Sequence, residues 1–441
     1  MSAKAAYELA HAHRFHLSTL PTELWMAILR EATRINTIPS ADNVLWQIGG
    51  TNGLARWAGS ASHDALCRSM VTRRSIVLVC VAWNDIATPF LYEWIYVRRI
   101  RRLLALDAIL SAEATVRRKP LAQYVRRLDV ATRELLGERH FDAFIRIVRS
   151  LTHLEIFHAF VWHSSYFPSS CLSDLVRPSA STLKVFNLYV WGQSLAPSTP
   201  SGSVLQLTMP HLQRCMIHGH LPLQLGIASV TLTAPLLTTL EFPYGFYTNE
   251  SPRSIVFEGI QNTAPLHLIV NFSPLMDTFL LGETFLATNG ARLTSIEFVL
   301  DRNCCIARII RFLRRECPRL ATLMLAYYKW ENAGVDLTTI CVADPGMPES
   351  LETLGLRTQM FQSRASHFKK VASALEIMTA PRLQSVKLTE YRDIQHLIRY
   401  QKAQFLNLLC VVEARGWRLE DKIGNRLCSD MDIAWLECNH F

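Results

Sequence analysis

Leu183-Lys184-Val185-Phe186-Asn187-Leu188 sets the pattern from which the fold is read. An apolar anchor is followed after two residues by a second apolar residue and after one more by a third, the spacing of a short strand with one buried face. The same arrangement recurs upstream at Leu154/Phe157/Ala159 and Val125/Leu128/Val130 and downstream at Leu212/Cys215/Ile217 and Leu237/Leu240/Phe242. It continues at His267/Val270/Phe272, Leu293/Ile296/Phe298, Leu320/Leu323/Leu325, Leu351/Leu354/Leu356 and Leu383/Val386/Leu388. Successive anchors lie 29, 29, 29, 25, 30, 26, 27, 31 and 32 residues apart. So even a period predicts stacked units, each burying its apolar strand face only against its neighbours.

The repeats resemble the leucine-rich repeat in a long and irregular form. The resemblance implies an α/β solenoid, a horseshoe of inner strands and outer connections. Between strands, His140–Ser150 and Ile306–Glu316 have helical apolar spacing, whereas Ala196–Ser203, rich in proline and serine, reads as a loop. The family's asparagine past the last strand anchor is missing; Trp191, Tyr328, Gln359 and Tyr391 stand there, which implies uneven curvature. Gln395–Arg415, followed by Gly416, reads as a closing helix. The repeats are placed at residues 98–391 and a helical cap at 392–441.

Ahead of the repeats, residues 1–16 read as a flexible tail, and residues 17–97 form a helical module in two halves. In the first, Thr19 and Pro21 open a helix, and Leu20, Leu24 and Ile28 with Trp25 and Leu29 make an apolar stripe wider than one seam. In the second, Ile76–Trp83 is apolar around a full helical circumference, and Pro89 is expected to end that helix. Helices totalling about 45 core-forming residues are too few to bury so much apolar surface among themselves, so a partner is expected.

Leu20-Pro21-x-Glu23-Leu24-x-x-x-Ile28-Leu29 and Val79-Cys80-x-x-Trp83-x-x-Ile86-Ala87-x-Pro89 resemble the F-box, in the form found in F-box-like proteins of fungi. An insert at about 36–62 departs from the compact motif. The resemblance implies docking on the Skp-type adaptor of a cullin ubiquitin ligase through Leu20, Pro21, Leu24, Ile28, Val79, Trp83 and Ile86. The remaining chain would then hold an unknown protein substrate as a non-catalytic receptor in the ubiquitin-conjugation pathway. The rival reading is a repeat scaffold for protein interactions that never meets a ligase.

Composition narrows the remaining classes. With 49% apolar and 19% charged residues in 441, the chain supports large cores. Eleven cysteines at irregular spacings make no disulfide framework and contain no C-x-x-C pair, so reduced thiols are expected. No secretory leader or membrane-length apolar run is read, so the expected location is intracellular, cytoplasmic or nuclear, without membrane contact. The net charge of +9 concentrates in Arg98–Arg127 (Arg98, Arg99, Arg101, Arg102, Arg117, Arg118, Lys119, Arg126 and Arg127). Aromatic residues are not interleaved with the arginines beyond the single Tyr124, which disfavours nucleic acid and favours a solvated face.

Neighbouring strands place equivalent residues roughly 4.8 Å apart. Positions 29 apart therefore form rows: His158, Asn187 and Met216; Phe160, Tyr189 and His218; Trp162, Trp191 and His220. Their aromatic and histidine members are the candidate substrate contacts. The rows lack carboxylate or thiolate ligands, so neither a metal nor a cofactor is expected. No phosphate loop, nucleophile elbow or metalloprotease motif occurs, and no enzymatic activity is expected.

Overall fold

The computed structural model describes residues 21–33, 61–116, 120–163, 175–192, 203–219, 227–242, 255–256, 266–271, 286–287, 289–300, 306–327, 329–343, 346–358 and 364–430. Three helices open it: α1 (Thr22–Ala32), α2 (Ala61–Val77) and α3 (Val81–Glu93). Leu29, Ile76, Val77, Ala87 and Phe90 form their small common core, with Met26, Trp83, Ile86 and Leu91 against it. Polar stitches hold the helices together. Ser69 Oγ donates to the Thr33 carbonyl (2.8 Å), Asn84 Nδ2 to the Val77 carbonyl (3.1 Å) and buried Arg73 to the Phe90 carbonyl (2.6 Å).

Two expectations need correction here. The apolar run Ile76–Trp83 is not one helix seen from all sides; it breaks at Leu78–Cys80 between α2 and α3. Pro89 lies inside α3 rather than ending it. The proline removes only the N–H that would reach Asp85, an exposed residue whose carbonyl water can serve. Burial of Phe90, 4% exposed, draws the helix onward.

From α3 the chain enters a parallel sheet of twelve strands in sequence order: β1 (Trp94–Val97), β2 (Arg127–Leu136), β3 (Ile156–His163), β4 (Val185–Gly192), β6 (Arg214–Gly219), β8 (Thr239–Phe242), β10 (Leu266–Asn271), β11 (Leu293–Leu300), β12 (Thr322–Tyr327), β13 (Thr353–Thr358), β14 (Ser385–Leu388) and β15 (Arg418–Glu420). Towards the two ends of the sheet the crossovers described run through α4 (Ile100–Val116), α5 (Glu138–Ser150), α6 (Ile306–Glu316), α7 (Trp330–Ala343) and α8 (Ala365–Ile377). In the middle of the sheet, short strands β5 (Ser203–Thr208), β7 (Ile227–Thr233) and β9 (Ile255–Val256) make these crossovers and pair with one another as a second parallel sheet. This architecture fits an α/β solenoid.

The anchors read from sequence fill the core. Leu128, Phe157, Phe186, Ile296, Leu323, Leu354 and Val386 are all at most 1% exposed. The rings of Phe144, Phe157 and Phe186 stack in series, the last two 5.4 Å apart and nearly parallel. One copy is misplaced: β10 pairs Leu268 with Leu240 and Ile296, and Val270 with Phe242 and Phe298. The inward pair is therefore Leu268/Val270, two residues earlier than the apolar spacing suggests, and His267 aligns with Thr239 and Ser295. The pairing with β11 shifts by one residue between Leu266 and His267, which sets Leu266 opposite the anchor Leu293.

The ends also differ from expectation. The closing helix is two, α9 (Tyr391–Tyr400) and α10 (Lys402–Ala414), which meet at Gln401. The cap is not wholly helical, because β15 joins the sheet edge on β14. Among the described residues no helix is long and apolar enough to cross a membrane.

Candidate interaction surfaces

The α1–α3 module presents the first surface. Leu24 is 50% exposed, Ile28 49% and Val79 60%; Pro21 is exposed too. Leu78 and Val81, which flank Val79 at the α2–α3 corner, are 81% and 79% exposed. Trp83 and Ile86 are half-buried against the module core, and Trp25 lies 5.3 Å from Trp83, joining α1 to the start of α3. Leu20 lies outside the described residues. The set thus divides: Trp83 and Ile86 carry the packing that positions the helices, while Leu24, Ile28 and Val79 point away from it. Sequence spacing alone missed Leu78 and Val81, whose exposure follows from the break between α2 and α3.

The inner sheet face is the second surface. Strand pairing brings His158 beside Asn187 and Asn187 beside Met216, Phe160 beside Tyr189 and Tyr189 beside His218, and Trp162 beside Trp191, as the rows require. His220 lies outside the described residues. His158, Asn187 and Met216 are 7%, 5% and 3% exposed, so the first row is sheet lining rather than open surface; Phe160 is half-buried. Burial, with Arg127 and Arg214 nearby, holds the His158 imidazole well below its usual pKa and therefore neutral.

Beside that row lies a buried ionic group that the sequence did not announce. Arg127 Nε donates to Asp129 Oδ2 at 2.7 Å, the Trp94 indole N–H donates to the same oxygen, and the guanidinium stacks 4.2 Å over the Trp94 ring. Asp129 has no exposure, and burial raises its pKa against the opposing pull of Arg127. Arg127 thus belongs to the sheet interior and not to the basic solvent face of which sequence made it part. Arg98, Arg99, Arg101, Arg102 and Arg126 are exposed as expected, and Arg117, Arg118 and Lys119 lie outside the described residues. Towards the other end Arg357 pairs with Glu297 across β12; both are 8% exposed. Among the described residues no group of three or more histidine, cysteine or acidic side chains is arranged to hold a metal.

No family model and no curated protein matches the chain. Among solved structures, the crystal structure of a TLR13-ssRNA13 complex is similar at 16% identity, with a TM-score of 0.20. The match covers 66% of this chain and 46% of that one, so the chain spans less than half its length. A superposition of that quality identifies neither ligand nor family.

Proposed function

We propose that the chain is the non-catalytic substrate receptor of a Skp/cullin/F-box-type ubiquitin ligase, with α1–α3 as an F-box-like tether and the twelve-stranded sheet as an irregular leucine-rich-repeat domain. One observation carries the reading: five large apolar side chains, Leu24, Ile28, Leu78, Val79 and Val81, stay between 49% and 81% exposed on a module with a core of its own. Solvated apolar surface of this kind marks a protein contact. It includes three of the seven positions at which the F-box resemblance places the adaptor. A receptor of this kind contributes effective concentration and orientation, and the transfer chemistry stays with other subunits.

The test is capture of the Skp-type adaptor by the full-length chain and by the Leu24→Asp/Ile28→Asp variant. Two anchors worth about 2 kcal/mol or more each predict at least a several-hundred-fold loss of affinity with unchanged folding. Undiminished capture by the double variant would remove the docking assignment and leave the repeat scaffold as the better reading.

A further inference from the structure

The strand register reveals a row that no sequence spacing displayed, because the slip at His267 conceals it. One position before the first inward residue of each strand, β8, β10, β11, β12, β13 and β14 carry Thr239, His267, Ser295, Thr322, Thr353 and Ser385. Five hydroxyls and one imidazole thus stand side by side across six adjacent strands, on the side of the sheet opposite the core. Thr239, His267, Ser295, Thr322 and Thr353 are half-buried; Ser385 is 3% exposed. The hydrogen bonds they make run along the row: His267 Nδ1 to Ser295 Oγ at 2.7 Å and Thr353 Oγ1 to Ser385 Oγ at 3.2 Å.

Taller side chains bound the row on one side. Glu297 and Arg357 reach across β12 to each other, and the Met324 thioether lies over Gly355, where a Cβ would come within 1.9 Å of its sulfur. Short polar groups beside this ridge make a trough. Arg214 on β6 occupies the next position at one end and exposed Arg418 on β15 at the other. Lys387 adds a second cation near Arg418, with Glu420 between them at 3.5 and 3.3 Å. The row itself contains no acid.

We infer that this trough takes an extended polypeptide segment of the substrate, polar in the middle and acidic towards its ends; the inference rests on the receptor reading above. A hydroxyl both donates and accepts, which suits the alternating N–H and C=O groups of a main chain. The row offers no phenyl, phenol or indole ring on which a base could stack, and its one imidazole is half-buried and tied to Ser295, which turns the reading away from single-stranded nucleic acid. The end arginines supply the charge complementarity, since a guanidinium pairs with carboxylates in two-point fashion. Seven strand spacings of roughly 4.8 Å separate Arg214 from Arg418, a length covered by about ten residues at ~3.4 Å each.

The experiment screens the full-length chain against random twelve-residue peptides displayed on phage, then measures the affinities of enriched peptides. Enrichment of sequences with Asp or Glu near both ends is expected. Binding should fall at least tenfold with Thr322→Arg, which fills the trough, and with Arg214→Ala, which adds no bulk; circular dichroism and adaptor capture serve as folding controls. No enrichment, peptides that bind both variants as well as the parent, or preferential binding of a ten-nucleotide oligonucleotide would each overturn the inference. Adaptor capture that persists without peptide binding would sink the trough alone. Peptide binding without adaptor capture would sink the ligase reading alone.

Discussion

Asp393 shows how a single side chain ties the last helices to the sheet. It sits in the first turn of α9, 4% exposed, and accepts from Thr358 Oγ1 at 3.0 Å and from the Thr358 N–H at 3.3 Å. Burial nevertheless pushes its carboxyl up to about 6, because Thr358 and Trp330 offset only part of the desolvation. Burial acts alone on Asp336 of α7 and raises it to about 7. The folded state therefore holds protons that the unfolded chain releases near pH 4. The associated stabilisation is complete below that pH and is lost as pH rises through 6 to 7. For Asp393 the span is on the order of 3 kcal/mol. Urea titrations from pH 4 to 7.5 should show this decline, and Asp393→Asn should flatten part of it. A second residue-scale prediction concerns Gly290, where a Cβ would stand 2.4 Å from the Glu316 carbonyl oxygen at the end of α6. Gly290→Ala should cost about 1–3 kcal/mol in the same titration, because a backbone oxygen cannot swing aside.

At the scale of elements, the α2–α3 corner separates packing from display. Ile76 and Val77 are 9% and 8% exposed, yet Leu78, the next residue, is 81% exposed. Leu78→Asp and Val81→Asp should therefore change unfolding free energy by no more than about 0.5 kcal/mol while weakening adaptor capture; a large stability loss would mean the corner is packed. The apolar run was legible in the sequence, but its break was not, since Leu78-Val79-Cys80 contains no glycine, proline or turn-forming polar residue. Pro89 misled in the opposite direction, because tertiary burial of Phe90 overrode a local helix-breaking preference. Outer strands β5, β7 and β9 were hidden for a related reason. They lie among prolines and serines, and their pairing is with one another across tens of residues, which no local window reports.

For the whole molecule, most of the inner sheet was legible because its period is written in buried residues that cannot vary freely. Leu183, Phe186 and Leu188 each bury almost completely, so their spacing survives in the sequence. Copies fail where anchoring is weak, as at His267, or where the sheet extends past the repeats, as at β1 and β15. The candidate surfaces were less legible. Register alone places His158 and Phe160 at display positions, and register does not tell how neighbouring rows cover one another. The hydroxyl row needed the corrected pairing of β10 before its members aligned. A stack of this kind predicts local rather than global failure: Phe157→Ala removes a ring between Phe144 and Phe186 and should cost about 3–5 kcal/mol. Amide exchange should then quicken in β2–β4 and remain unchanged in β12–β14.

The receptor reading turns on whether the amino-terminal apolar surface is covered by another polypeptide. Amide hydrogen exchange of the full-length chain with and without the Skp-type adaptor tests this most directly. Slower exchange confined to α1 and the Ile76–Trp83 segment, with the sheet unaffected, is the result predicted. Unchanged exchange in both segments at saturating adaptor, or protection confined to the sheet, would contradict it.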